Sequence, residues 1–192
     1  MLLTAEIPVA DYTARYRDTE TFGAACRACP GYGRTWSCPP FAPATEYAAL
    51  DYDMALIVAF TFETDENDVV SAAATLLRRN TDLLIDIERR TGGRAFGFCG
   101  MCRLCAACFR PQGKPCPHAD LVRPPLEAFG FDLCRTASEL LNTTLQWTAD
   151  SQGRRHLTFI GAVFHNLPSA KNLIGMQSVS LIVGANTHDV KN

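Results

Sequence analysis

Nine cysteines stand in this chain of 192 residues, at positions 26, 29, 38, 99, 102, 105, 108, 116 and 134. An odd number cannot pair fully within one chain, and the thiol content lies below the roughly 8–10% that marks a small disulfide scaffold. The cysteine thiolate is the ligand of soft metals, so spacing decides what these residues are suited to do. Cys99, Cys102, Cys105 and Cys108 recur every three residues, and Cys116-Pro117 follows. A cuboidal iron–sulfur cluster takes four thiolates arriving from different directions. A loop wrapped round it delivers three as C-x2-C-x2-C and a fourth from a remote Cys-Pro, as in bacterial ferredoxins. The expected ligands are Cys102, Cys105, Cys108 and Cys116, with Cys99 replacing Cys102 in a shifted register. Zinc sites more often use two paired knuckles about 15–20 residues apart, and a third cysteine at the same short step is surplus to them.

The segment CRACPGYGRTWSCPP, from Cys26 to Pro40, carries a second pattern, C-x2-C-x8-C-P-P. Cys26, Cys29 and Cys38 leave one corner of a four-coordinate site to Cys99, Cys134, His118 or an external ligand. An open corner is where catalytic metal sites do their chemistry. Gly31 and Gly33 allow tight turning and are expected to expose N–H groups toward thiolate or sulfide. Tyr32 and Trp36 are expected to pack against the loop, and Cys134 to be a packed thiol. Glu127 and Asp132 are expected on an exposed helix face and in a turn, with a place near a metal as the alternative.

The charge pattern is local rather than global. The net charge is -2 and the pI about 6.1, which points away from nucleic acid. Residues 89–119 nevertheless contain no Asp or Glu, while Arg89, Arg90, Arg94, Arg103, Arg110 and Lys114 lie among them. Residues 21–45 also lack acids and hold Arg27 and Arg34. A four-thiolate cluster is a net anion, so Arg103, Arg110 and Lys114 are expected as a cationic shell around it. The same bias suits an acidic redox partner protein. No apolar run reaches about 18 residues, so no membrane span is expected. The N-terminus lacks a basic stretch followed by an apolar one, so no signal peptide is expected. A cytoplasmic location follows, where clustered thiols bind metal or catalyse rather than form disulfides. The chain has no P-loop, nucleophile elbow, G-x-G-x-x-G or H-E-x-x-H. The C-x3-C-x2-C spacing of radical enzymes that cleave S-adenosylmethionine is also missing.

These loops need a frame. Residues 4–9 read as an edge strand, since Pro8 cannot donate to a central ladder. Residues 22–45, rich in Gly and Pro, read as loop. Met54 to Phe62 is a continuous apolar run of strand length, the mark of a buried central strand. Residues 67–89 have helical spacing: Val69, Ala73, Leu76, Leu83 and Ile87 form a stripe, flanked by Val70, Leu77 and Leu84. Asp65, Glu66 and Asp68 sit near its start and Arg89 and Arg90 near its end, as the helix dipole favours, and Gly92-Gly93 stops it. Arg94 to Phe98 is a short strand, residues 99–118 the second cysteine loop. Pro124-Pro125 opens a short helix that Gly130 ends. Thr136 to Glu139 reads as a capping box for a helix to about Leu145. Gln152-Gly153 is a turn, and Leu157 to Phe164 another buried strand. His156 and His165 fall at opposite ends of it. The expected architecture is a single α/β domain over residues 1–165, with a central, mostly buried β-sheet, flanking helices and two cysteine-rich metal-binding loops, 22–45 and 99–118, the second ferredoxin-like. Residues 166–192 read as a C-terminal tail.

The segments CRACPGYGRTWSCPP, CRLCAACFRPQGKPC and RPPLEAFGFDL, in that order, resemble the family called domain of unknown function 2284. Its members are described as predicted metal-binding proteins. The resemblance spans residues 26–164 and implies metal binding through Cys102, Cys105, Cys108 and Cys116, and through Cys26, Cys29 and Cys38. It leaves Cys99 outside the usual pattern, and His118 and Pro125 depart from it. The expected function is a [4Fe–4S] iron–sulfur protein acting in electron transfer or as a small redox module, with a second metal or cluster in the first loop. One alternative is a zinc-stabilised interaction protein using Cys26 and Cys29 with Cys102 and Cys105. The other is an enzyme working at the open corner of the first loop.

Overall fold

The computed structural model describes residues 1–41, 51–65, 69–98, 102, 104–145 and 154–175. Four strands form one sheet: β1 (Leu2–Pro8), β2 (Met54–Asp65), β3 (Arg94–Phe96) and β4 (Arg154–His165), in the order β1-β2-β4-β3. Every pairing is antiparallel. β2 and β4 pair over their whole length, from Met54 opposite His165 to Asp65 opposite Arg154. β1 is an edge strand, and Pro8 ends its ladder opposite Met54, where a missing donor costs least.

A continuous apolar run is the usual signature of a parallel sheet buried on both faces. Here the sheet is antiparallel and both faces are still covered, which is why neither β2 nor β4 alternates. On one face Ala55, Ile57, Ala59, Ile160, Ala162, Phe164 and Phe96 meet helix α1 (Val9–Tyr16) and the segment after the second cysteine loop. Tyr12 stacks on Phe131 at 4.6 Å between ring centroids, and its hydroxyl meets the Thr136 hydroxyl at 2.9 Å. On the other face Leu56, Val58, Leu157, Phe159 and Val163 meet Leu83, Leu84 and Ile87 of helix α3 (Val69–Thr91). Each fully buried large apolar side chain contributes about 1.5–3 kcal/mol. The two parities of one strand therefore feed two cores.

Several local expectations change. Residues 22–45 are not loop throughout: helix α2 (Thr19–Ala28) runs into them, capped by the Asp18 carboxylate, which accepts from the N–H groups of Glu20 and Thr21. Thr136 does not cap a helix. Asp132 is the cap, accepting from the Arg135 N–H, and Thr136 is buried behind it, at the start of a wide π turn over Thr136–Leu140. Cys134, expected to be packed, is exposed. The expected helix after Pro125 is a 3-10 turn, Leu126–Phe129, ended by Gly130 in the left-handed region. The Gln152-Gly153 turn and the acids Glu66 and Asp68 lie outside the described residues. Beyond β4, Ala170 and Ile174 join the second core, and the Glu6 carboxylate accepts from Ser169 Oγ and the Ala170 N–H.

Candidate metal centre

The first cysteine segment hangs from the end of α2. Cys26 lies in the last turn of that helix and Cys29 is its C-cap, with the Cys29 N–H donating to the Cys26 carbonyl at 3.1 Å. The chain then tightens through bonds from Tyr32 N–H to the Cys29 carbonyl and from Gly33 N–H to the Pro39 carbonyl. Gly33 has a φ of 67°, open to glycine at little cost. Its N–H is therefore committed to closing the loop rather than exposed toward a thiolate. Burial pushes the Cys26 thiol up, and the nearby charges of Cys29, Cys38 and Glu127 push the same way. Glu127, expected on an exposed face, is half-buried with Oε2 shielded from solvent, and its carbonyl lies 3.9 Å from Cys26 Sγ.

The second cysteine segment is pinned at both ends. It leaves the sheet at Gly97 and returns at Pro125, which bridge each other, with the Gly97 N–H donating to the Pro124 carbonyl at 3.0 Å. A Cβ on Gly97 would meet the Arg123 carbonyl oxygen at 2.6 Å, so the closure needs glycine there. Arg123 then ties the returning chain to α3: its Nε donates to Glu88 Oε2 at 2.8 Å, and Nη2 reaches Glu88 Oε1. Between these pins, Cys102, Cys105, Cys108 and Cys116 line one pocket with Trp36, Leu104, Phe109, Pro117 and Val122. Burial is the main influence raising the Cys102 thiol. A backbone N–H at Leu104 opposes it, while the charges of Cys108, Cys116 and Cys105 add to it. Cys99 and Arg103 lie outside the described residues.

The two segments are joined. Arg110, expected beside the second-loop thiols, turns its guanidinium onto the first loop. It donates to the carbonyls of Thr35 and Pro40, each at 2.6 Å, and to that of Cys38. The same group sits 5.1 Å from the Trp36 ring centroid, and the indole N–H donates to the Lys114 carbonyl at 3.1 Å. Trp36, expected to pack within its own loop, therefore forms a wall of the other loop's pocket. Its hydrogen-bond partner Lys114 is 78 residues away in the chain, and nothing local marks it.

The family model described as "Predicted metal-binding protein (DUF2284)" matches residues 13–164. The chain belongs to that family. No curated protein and no solved structure matches it. For this DUF2284 chain the two cysteine segments are the candidate metal-binding residues. Four thiols on one pocket are a donor set for soft metals and sulfide clusters. Among the described residues, no group of three or more His, Cys, Asp or Glu side chains is arranged to hold a metal ion as it stands. Cys102, Cys105, Cys108 and Cys116 share a pocket without forming a closed coordination sphere, and the segment that carries them is tied to the sheet and to α3 at its ends. Among the described residues no helix is long and apolar enough to cross a membrane.

Proposed function

We propose that this chain binds a [4Fe–4S] cluster through Cys102, Cys105, Cys108 and Cys116 and acts as an electron-transfer module. The supporting observation is that these four thiols, spaced as C-x2-C-x2-C with a remote Cys-Pro, line a single pocket. The cluster would take up one electron and pass it to a partner protein, with no bond made or broken in the chain. Cys26, Cys29 and Cys38 would hold a second metal or cluster. Partial burial and the local excess of Arg and Lys would set the potential. Lys114, exposed beside the pocket, would face an acidic redox partner. The eight cysteines of the described residues are all free thiols, which fits a reducing cytoplasm.

Protein purified anaerobically should be brown, contain iron and acid-labile sulfide, and lose its broad visible absorbance on addition of dithionite. A colourless chain carrying zinc without iron or sulfide would overturn the iron–sulfur reading and favour a zinc-stabilised interaction protein. Cys116→Ser should lose the cluster and Cys99→Ser should keep it. The reverse result would overturn this ligand assignment.

A further inference from the structure

We infer that the two cysteine loops form one coupled metal-binding unit, in which Arg110 and Trp36 make occupancy of the first loop tighten binding in the second. This rests on the reading that both loops hold metal. The observations are contacts across the chain. One guanidinium from the second loop gathers three carbonyls of the first, those of Thr35, Cys38 and Pro40. One of these carbonyls belongs to Cys38 itself, so Arg110 touches the backbone of a candidate ligand of the other loop. Arg110 stands two residues beyond Cys108, a candidate ligand of its own loop. Trp36 returns the link: its ring lies on Arg110, its N–H holds the Lys114 carbonyl, and its side chain lines the pocket of Cys102, Cys105, Cys108 and Cys116.

The physical consequence is that ordering one loop favours the order of the other. A metal held by Cys26, Cys29 and Cys38 fixes Cys38, and so fixes the three-carbonyl cradle that receives Arg110. That places Trp36 as a wall of the second pocket and removes conformational freedom the second loop would otherwise lose on binding. Groups outside the ligand set that orient ligands typically contribute about 10–100-fold to metal affinity. The planar guanidinium is needed because a lysine ammonium is a point charge that cannot span the three carbonyls in the same fixed fork. Arg110 is thus a positioning residue.

The test is cobalt(II) titration of the metal-free full chain under anaerobic conditions, read by the thiolate-to-cobalt absorption bands. Wild type should take up two ions in one steep phase. Cys29→Ser/Cys38→Ser should take up one ion about 10–100-fold more weakly, with all four second-loop thiols intact. R110A and R110K should each take up two ions in separate, independent phases. R110A should add nothing in the Cys29→Ser/Cys38→Ser background, because its effect runs through the first loop. A merely structural arginine would instead weaken both backgrounds equally. Wild-type affinity in Cys29→Ser/Cys38→Ser, wild-type behaviour in R110K, or additive losses would each overturn the coupling. Failure of the iron–sulfur reading shows separately, as absence of iron and sulfide in the protein purified anaerobically.

Discussion

A thiol that must lose its proton to bind metal is governed by its surroundings, and in this chain those differ from one cysteine to the next. Burial raises Cys26 and Cys102, and neighbouring thiols add to it, whereas Cys29 and Cys134 are exposed. In metal-free protein, iodoacetamide should label Cys29 and Cys134 before Cys26 and Cys102, as read by peptide mass spectrometry. Equal labelling rates would contradict the buried environment. A raised folded-state thiol pKa favours the neutral form. The stability it contributes is present below the ordinary thiol value and is lost as pH rises through the folded one. Metal-free protein should therefore lose thermal stability on the alkaline side, while metal affinity climbs over the same range because binding releases thiol protons. The spacing of the cysteines marks out the two candidate thiol sets without coordinates. The placement of Arg110 and Trp36 was not, because each acts on a loop distant in sequence.

At the scale of elements, the second loop depends on how its ends are tied to the sheet. Gly97 and Pro124 clamp the base, and Arg123 with Glu88 fastens the return to α3. The Glu88 carboxylate also accepts from the Ala95 N–H at 2.6 Å, so one acid serves helix, strand and loop. Both partners of this ion pair are largely shielded, at 14% and 17% side-chain exposure. Arg123→Ala leaves a shielded carboxylate with a lost partner and should cost about 1–3 kcal/mol in urea unfolding. It should also make the 102–123 segment more susceptible to limited proteolysis. A change within experimental error would assign the pair no role in anchoring. Gly97→Ala, which drives a methyl into the Arg123 carbonyl, should cost about 1–3 kcal/mol as overpacking does. The strands and α3 were readable from apolar runs and helical spacing. Helix α2 was not, because its glycine, two threonines and Cys26 lower local helix preference and its cap is a single aspartate.

For the molecule as a whole, the sheet owes its stability to two apolar cores rather than to the thiols. Phe131 belongs to the first core, stacked on Tyr12 and set edge-on to Phe164. Phe131→Ala should cost about 3–5 kcal/mol. A chelator should leave far-UV circular dichroism and cooperative thermal unfolding of the sheet in place, while the cysteine loops become open to protease. Global unfolding on metal removal, as in zinc fingers, would show that the cores are insufficient alone. The order of residue types determined a great deal: which cysteines are candidates to act together, that Met54 to Phe62 and Leu157 to Phe164 are buried strands, and that a long amphipathic helix lies between them. Local spacing encodes those features, because periodicity and ligand steps are properties of neighbours in the chain. Only the tertiary structure decided that the sheet is antiparallel, that Glu127 lies beside Cys26, and that Arg110 and Trp36 lock the two loops together. Those facts arise from long-range pairing, and a single chain segment carries no record of which distant carbonyls its guanidinium will meet.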